Sequence, residues 1–281
     1  MNSSHSDQGT MEEVYRINRL NWDERVDSHF NSAMYQRHLR DLERGSVCLA
    51  PEHVRRMGDV TGKKLIHLQC HMGMETLSWA RLGAEVTGID FSQPAIDRAT
   101  QISSSLGLKG RFICANVYET PRLVPQQFDI VFVSVGSICW LPDIASWAEI
   151  VADLLKRNGK LYMDEVHPFA DVLDDDPTES MLIVRHPYFH TEGQLFDEGG
   201  SYTDRDAVFE HNKAVCWTHS LGVVINALIA HGLNIRALHE SERCEWPRFK
   251  QMREVAPNLF DLPGSLAGKL PMTYTLIAEK A

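Results

Sequence analysis

The segment 63–92 constrains the fold of this chain most, because its pattern predicts a strand, a helix and a second strand in succession. Residues 65–68 are a short apolar run between turn residues, which is typical of a buried parallel strand. Apolar residues then recur at helical spacing up to Gly83, where a left-handed helix end is expected. A second apolar run, 86–89, ends on Asp90. In such a unit a ligand lies outside the carboxyl ends of the strands, and an acid on the second strand binds ribose hydroxyls.

The loop after the first strand bears on which nucleotide could bind. A dinucleotide pyrophosphate requires the close backbone approach that the spaced glycines of G-x-G-x-x-G allow. Residues 69–73 read Gln-Cys-His-Met-Gly and keep only one glycine. A nicotinamide dinucleotide is therefore disfavoured.

Residues 66–73 resemble the first motif of the class I S-adenosylmethionine (SAM) dependent methyltransferases, roughly hydrophobic-Asp-hydrophobic-Gly-Cys-Gly-x-Gly. In this chain His67 stands in place of the acid, and Gln69 and His71 stand in place of two glycines. These substitutions resemble those of a small-molecule branch of the family. The loss of the acid implies that another acceptor, such as a backbone carbonyl or Glu75, holds the methionyl ammonium.

Two later strands follow in the order that the resemblance implies. Residues 128–134 resemble the family's Phe-Asp-hydrophobic-Val-hydrophobic-hydrophobic motif. Residues 111–115 form a strand that delivers Asn116 to the same sheet edge. The family usually carries an acid there that binds the adenine amino group, and an asparagine carbonyl can accept the same hydrogen bond.

The expected fold class is α/β: a Rossmann-like seven-stranded, mostly parallel sheet with helices on both faces, an N-terminal helical lid and an inserted cap. Residues 215–230 repeat apolar side chains at helical spacing, and residues 233–239 and 272–278 supply the last two strands. The resemblance implies that the last strand is antiparallel to the others.

The chain divides into segments with different expected roles. These are a disordered tail (1–10), an N-terminal helical lid (11–60), a SAM-binding core (61–168), an inserted substrate cap (169–213) and the C-terminal completion of the core sheet (214–281). A lid would close the cleft against water. The alternative for the aromatic-rich helices of residues 11–44 is an amphipathic pair that only packs on the sheet.

The resemblance and the strand ends together indicate candidate site residues. The cofactor-binding set is Trp22, Tyr35, Gln69, Gly73, Asp90, Phe91, Asn116, Val117 and Ser134. The candidate catalytic bases are His167, His29 and His219. Histidine titrates near neutrality, which suits proton removal. His167 is favoured because it follows the fifth strand and precedes Pro168, which keeps the backbone of His167 extended.

The composition limits the possible partners and the compartment. The net charge of -10 argues against nucleic-acid binding, which depends on Lys and Arg. A polar N-terminus and apolar runs shorter than about 18 residues indicate neither a signal peptide nor a membrane span. The 6 cysteines form no C-x-x-C pair, which is typical of reduced thiols in a cytoplasmic protein. No metal is expected, since Glu165 with His167 offers at most two ligands. A homodimer stays open.

The expected function is transfer of a methyl group from SAM to an O or N atom of a small molecule by in-line displacement, with a histidine as base. The methyl of SAM is already activated on a sulfonium, so the protein chiefly aligns the acceptor and removes a proton. The alternatives are a SAM-binding protein without transfer activity and a nicotinamide-dependent oxidoreductase on the same fold. Nothing in the sequence identifies the acceptor, or whether O, N, C or S is methylated.

Overall fold

A seven-stranded sheet forms the centre of the molecule, whose computed structural model describes residues 4–175, 181–189 and 192–281. In chain order the strands are β1 (Lys64–Leu68), β2 (Glu85–Asp90), β3 (Gly110–Cys114), β4 (Phe128–Val133), β5 (Leu155–Val166), β6 (Leu173–Asp175), β7 (Leu182–Val184), β8 (Gln194–Asp197), β9 (Lys213–Cys216), β10 (Leu233–Ser241), β11 (Arg253–Ala256), β12 (Leu259–Asp261) and β13 (Thr273–Lys280). The central sheet has the spatial order β10-β13-β5-β4-β1-β2-β3.

Strand directions in this sheet confirm the predicted fold class. Strands β1 to β5 pair in parallel with one another, whereas β13 is antiparallel to both β5 and β10. The direction of winding reverses at β1, which pairs with β2 on one side and with β4 on the other. A ligand crevice is expected outside the carboxyl ends of the strands at such a reversal.

Helices cover both faces of the sheet. They are α1 (Ser4–Asn31), α2 (Ala33–Glu43), α3 (Pro51–Met57), α4 (Met74–Arg81), α5 (Gln93–Leu106), α6 (Thr120–Leu123), α7 (Ile144–Leu154), α8 (Pro168–Asp171) and α9 (Leu221–Ala230). Helix α5 has a local capping residue at each end: the Ser92 hydroxyl accepts the N–H of Ala95, and Gly107 is left-handed.

The core lies in two layers because successive strand residues point to opposite faces. On one face Phe132 and Tyr162 pack in a cluster with Trp79 of α4. On the other face Val131 packs in a cluster with Trp147 of α7, together with residues of α9. The two layers hold the carboxyl ends of β1, β2 and β4 in fixed positions.

The N-terminal helix is longer than the sequence indicates. Helix α1 begins at Ser4 and so includes residues 4–10, which were expected to be disordered. Adding turns to an existing helix costs far less than nucleating one, so a polar segment can continue it. Residues 1–3 of the expected tail lie outside the described residues.

The helix predicted over residues 215–230 is shorter than expected. Residues 213–216 form β9 and pair with β8, and the helix begins only after Ser220, whose hydroxyl accepts the N–H of Val223. An N-cap serine favours a helix start at this point whatever the apolar spacing before it.

The segment predicted as a cap consists of short elements. It contains α8, the β6–β7 hairpin and β8, which pairs with β9. Residues 176–180 and 190–191 of this segment lie outside the described residues. A further hairpin, β11–β12, was not predicted.

No helix within the described ranges is long and apolar enough to cross a membrane. The cytoplasmic location stays a prediction.

Candidate active site

The loop between β1 and α4 keeps the backbone of a glycine-rich turn although two glycines of the motif are replaced. Gln69, His71 and Gly73 have φ angles of 57°, 48° and 68°. This left-handed region is one that glycine adopts freely and other residues adopt at a cost. Strain of this kind is concentrated at functional sites. Gln69 and His71 thus add side chains to the loop.

Gly73 is required by packing. A Cβ atom at this position would lie 2.5 Å from Cε1 of Phe112 and 3.0 Å from Cβ of Ala99. A larger residue at position 73 would therefore force Phe112 or the start of α4 to shift. Its contact with a cofactor stays a prediction.

Asp90 lies at the carboxyl end of β2, where the sequence predicts it, and the backbone of two loops orients its side chain. Oδ2 accepts the N–H of His71 at 2.8 Å, and Oδ1 accepts the N–H of Ser92 at 2.9 Å. Burial raises the pKa of Asp90 to about 6, although these two hydrogen bonds lower it. Each oxygen keeps a further lone pair for a ligand.

His67 occupies the motif position of the acid but offers no negative charge. It is 1% exposed, and its Nδ1 and Nε2 atoms lie 2.8 and 3.0 Å from the hydroxyls of Thr76 and Ser134. Burial lowers the pKa of His67 to about 3, so the ring is neutral. Its two hydrogen bonds join β1 to α4 and to the residue after β4. The second bond uses the hydroxyl of Ser134, a predicted cofactor residue.

Aromatic side chains from separate parts of the chain meet at the loop. We call the following residues the aromatic cluster: Trp22, His29, Tyr35, His71, Trp140 and Tyr202. The His71 ring centre lies 5.2 Å from those of Trp22 and His29 and 5.6 Å from that of Tyr35. The structure therefore brings Trp22 and Tyr35 of the predicted lid against the loop.

Helix α1 is bonded directly to the cap and to β9. The amide of Asn18 donates to the carbonyl of Val215 at 2.9 Å and accepts its N–H at 2.8 Å. The buried guanidinium of Arg25 donates to the carbonyls of His211 and Gly200 at 3.1 and 3.3 Å. The expected lid and cap are thus in contact, which no sequence motif indicates.

Glu165 shapes the loop that follows β4. Its carboxylate accepts the N–H groups of Gly136, Ser137 and Ile138, the last two at 2.8 Å. Burial raises the pKa of Glu165 to about 7, although these bonds lower it. The Glu165 carboxylate is thus an acceptor for the backbone of this loop at the end of the sheet.

Predicted adenine contacts lie at the ends of β2 and β3. Phe91 follows Asp90 and is half-buried. Asn116 Oδ1 accepts the N–H of Tyr118 at 3.1 Å and so begins a short 3-10 turn that includes the buried Val117. The structure places these residues at the predicted edge, while their contact with adenine stays a prediction.

His29, the first candidate base, lies inside the aromatic cluster. Its Nδ1 atom lies 3.1 Å from Nε2 of His71, and its Nε2 atom lies 2.6 Å from the hydroxyl of Ser201. Burial lowers the pKa of His29 to about 2. Both ring nitrogens are therefore engaged, and the ring is neutral.

The other two candidate bases lie outside this cluster. His167 Nδ1 accepts the N–H of Phe169 at 3.0 Å, which caps α8, and its Nε2 lies 3.0 Å from Oε1 of Glu240. His219 Nε2 lies 2.8 Å from the carbonyl of Leu141 and must donate to it. Burial lowers the pKa of both histidines. A neutral His219 ring keeps its lone pair on Nδ1.

A second polar cluster, formed by His53, Glu75, Asp164 and Glu245, was missed by sequence reasoning. His53 Nε2 lies 3.6 Å from Oδ2 of Asp164 and from Oε1 of Glu245. Burial alone would lower the pKa of His53, but these two carboxylates raise it to about 9. Burial raises the pKa of Glu75 to about 7 and that of Asp164 to about 6. The four residues are distant in sequence and form no motif.

Two cavities lie away from Asp90. One of about 760 Å³ is lined by Lys64 and Glu85, the first residues of β1 and β2, at the opposite edge of the sheet. Another of about 530 Å³ is lined by His167 and Tyr188 beside the cap. The crevice at Asp90 is marked instead by the sheet topology and by the hydrogen bonds of Asp90.

Comparisons with known proteins agree with this geometry. Residues 66–163 match the family model described as a methyltransferase domain. Over 112 residues the chain is 29% identical to the ubiquinone biosynthesis O-methyltransferase of Proteus mirabilis, a match that covers 40% of this chain and 45% of that protein. The chain thus spans about half the length of the curated relatives it matches.

Solved structures share the fold at low sequence identity. A putative S-adenosylmethionine dependent methyltransferase from Listeria monocytogenes superposes with a TM-score of 0.61 at 17% identity, covering 82% of this chain and 95% of that chain. The glycopeptide N-methyltransferase MtfA complexed with SAM has a TM-score of 0.54 at 15% identity, covering 85% and 94%. Residues 66–163 therefore form a methyltransferase domain, and the chain has the fold of the class I SAM-dependent methyltransferases.

Proposed function

We propose that this protein is a SAM-dependent methyltransferase that acts on an O or N atom of a small molecule. One observation carries the proposal: the loop 69–73 and the residue after β2 fix the Asp90 carboxylate at the carboxyl edge, directly beneath the aromatic cluster. A carboxylate in this position on a βαβ unit is suited to ribose hydroxyls. The O-methyltransferase and N-methyltransferase similarities support both acceptor elements.

Unpaired polar atoms on the loop support the fit of a nucleoside that carries an amino-acid group. Gln69 Oε1 and His71 Nδ1 are buried without a hydrogen-bond partner among the described residues. Burying such atoms unpaired is costly, so a polar ligand group would satisfy them. Asp90 would hold the ribose, and Phe91 and Asn116 would border the adenine.

SAM, when bound, supplies a methyl group already activated on a positively charged sulfur. The chain then has to align the acceptor, exclude water and take up the acceptor's proton. The aromatic cluster of lid, loop and cap side chains would exclude water from the loop. The lid and cap roles are part of this proposal.

A histidine base is part of the proposal, and hydrogen bonding ranks the three candidates. His29 and His167 use both ring nitrogens, whereas His219 donates from Nε2 and keeps a lone pair on Nδ1. We therefore assign proton uptake to His219 before His167, the residue that sequence position favours. Once an acceptor is known, His219→Gln should lower turnover by about a hundredfold or more, whereas His167→Gln should not.

Methyl-labelled SAM tests the proposal. The full chain is incubated with labelled SAM and panels of small phenols and amines, and the products are separated by mass. Label in a phenol or amine product supports the proposed function. SAM binding with all label left in SAM would favour a SAM-binding protein without transfer activity.

A further inference from the structure

The cap segment, residues 169–213, carries most of the large apolar side chains that are exposed in the described part of the chain. Phe189 is 89% exposed, Val184 is 76% exposed, and Phe169 is also exposed. Single exposed apolar side chains are common on protein surfaces, but a group of them on one segment marks a contact surface for another molecule. The cap segment therefore has a binding surface that its own packing does not use.

These three side chains border one cavity, the cavity of about 530 Å³ beside the cap. Tyr188 and the buried Val172 complete its apolar lining. A volume of this size and a lining of this kind are typical of small-molecule sites, which span about 300 to 1,000 Å³. The rings of Tyr188 and Phe189 lie 4.9 Å apart, edge to face. Such rings favour an aromatic ligand, because aromatic pairs gain more than their buried area alone provides.

The lining of this cavity is positively charged although the chain carries a net charge of -10. It includes Lys269 and no Asp or Glu. Two acids close behind the lining already have partners: Glu240 Oε1 lies 3.0 Å from Nε2 of His167, and Asp171 Oδ1 lies 2.8 Å from a guanidinium nitrogen of Arg248. An anionic group on a ligand would thus meet Lys269 without an opposing carboxylate in the lining.

The end of β5 connects this cavity to the crevice. His167 lines the cavity, and Glu165, two residues earlier, accepts N–H groups of the loop after β4. That loop leads to Trp140 of the aromatic cluster. Both ring nitrogens of His167 are engaged, so its ring forms a fixed part of the wall. A ligand in the cavity can therefore extend along the end of β5 towards the crevice.

We propose that this cavity binds the methyl acceptor, and that the acceptor is an aromatic compound with an anionic group. The ring packs against Tyr188 and Phe189, and the anionic group lies at Lys269. This inference rests on the proposed function and adds the class of the acceptor and the residues that select it.

Two fluorescent dyes test the cavity before any acceptor is known. 1-Anilinonaphthalene-8-sulfonate carries an aromatic system and a sulfonate, whereas N-phenyl-1-naphthylamine has the same rings without the charge. Phe189→Ser should weaken both dyes about tenfold, because both use the aromatic wall. Lys269→Gln should weaken only the sulfonate dye, about fivefold, as expected for an exposed charge pair.

Matched controls show whether the dyes report this cavity or any apolar surface. Val223→Ser removes an exposed apolar side chain on α9, and Lys63→Gln removes an exposed charge before β1. Both controls should bind both dyes as wild type does. Dye affinities that are unchanged in Phe189→Ser and Lys269→Gln, or that fall equally in the controls, would overturn the inference.

Transfer from labelled SAM then connects the cavity to the reaction. 6-Hydroxy-2-naphthoate and 2-naphthol share a phenol on the same rings, and only the first carries a carboxylate. The naphthoate should displace the sulfonate dye more strongly than the naphthol does. For any compound that is methylated, Phe189→Ser should raise KM about tenfold and leave the affinity for S-adenosylhomocysteine unchanged.

The outcomes separate this inference from the proposed function. If wild type does not bind S-adenosylhomocysteine, the proposed function fails and the inference fails with it. If wild type methylates a compound that does not displace the dye, or whose KM is unchanged in Phe189→Ser, the acceptor binds elsewhere and the inference is wrong while the function stands.

Discussion

At the scale of single residues, buried carboxylates fix the loops around the crevice through backbone N–H groups. Asp90 binds the N–H groups of His71 and Ser92, and Glu165 binds those of the loop after β4, Gly136 among them. Carboxylates that accept backbone N–H groups hold loops in one geometry. The loops at this edge of the sheet are therefore held in place by the protein's own carboxylates.

His53 should make stability depend on pH above neutrality. Its pKa in the folded state is about 9, above the ordinary value of 6.5, so its charge stabilises the fold fully below about pH 6.5. That contribution is lost as pH rises through 9. In urea, the free energy of unfolding of wild type should therefore exceed that of His53→Gln by roughly 2 kcal/mol near pH 6 and by much less near pH 10. The control His239→Gln, at an exposed site on β10, should show no such trend. A His53→Gln effect of equal size at both pH values would contradict this assignment.

Gly73 should tolerate alanine far less well than Gly107. Both glycines have left-handed backbones, with φ of +68° and +63°. Only at Gly73 would the new Cβ meet atoms, those of Phe112 and Ala99, whereas no described atom lies within 4 Å at Gly107. In urea unfolding, Gly73→Ala should lower the free energy of unfolding by about 1 to 3 kcal/mol more than Gly107→Ala does. This difference is the usual cost of overpacking. Equal losses would show that the start of α4 adjusts freely.

At the scale of elements, α1 and the segment leading into β9 are expected to respond to ligand as one unit. Asn18 bonds both backbone groups of Val215, and Glu24 accepts the N–H groups of Glu210 and His211. Adding S-adenosylhomocysteine should therefore slow amide exchange in α1 and in residues 209–216 together. Asn18→Leu removes both bonds to Val215 and should uncouple the two segments. Unchanged exchange in α1 would reduce the expected lid to scaffold.

Local patterns gave the central elements but not the contacts between distant ones. The run ending on Asp90 is decided by neighbours in sequence, so the pattern predicts it correctly, and the Ser92 cap is local in the same way. The bond between His167 and Glu240 and the bonds between α1 and β9 join residues that are distant in sequence, so no local pattern contains them. Val215 shows the limit: it continues a helical spacing, yet strand pairing with β8 decides its structure.

Residue types at the motif positions carried more information than the spacing alone. Gln69 and His71 depart from the glycines of the motif, yet both keep a left-handed backbone. His71 could have been added to the site from its motif position, because the motif loop follows β1 at the carboxyl edge of the sheet. Tyr202 and Ser201, by contrast, reach His29 from a segment without regular spacing.

At the scale of the whole molecule, the fold brings three separate segments together at the carboxyl edge of the central sheet. The sheet supplies Asp90, helix α1 supplies Trp22 and His29, and the cap supplies Tyr202. The predicted cofactor residues, from Trp22 to Ser134, are spread over a stretch of more than a hundred residues. This is roughly the length of one domain. Contact of a bound ligand with all three segments would couple its binding to the position of α1, the expected lid.

Calorimetry of S-adenosylhomocysteine with wild type, Asp90→Asn and the exposed-site control Asp153→Asn tests the central claim most directly. Wild type and Asp153→Asn should bind with equal affinity. Asp90→Asn should bind at least about tenfold more weakly, because a charge-assisted pair of hydrogen bonds to the ribose is lost. No binding by wild type, or undiminished binding by Asp90→Asn, would contradict the assignment of this edge as the cofactor site.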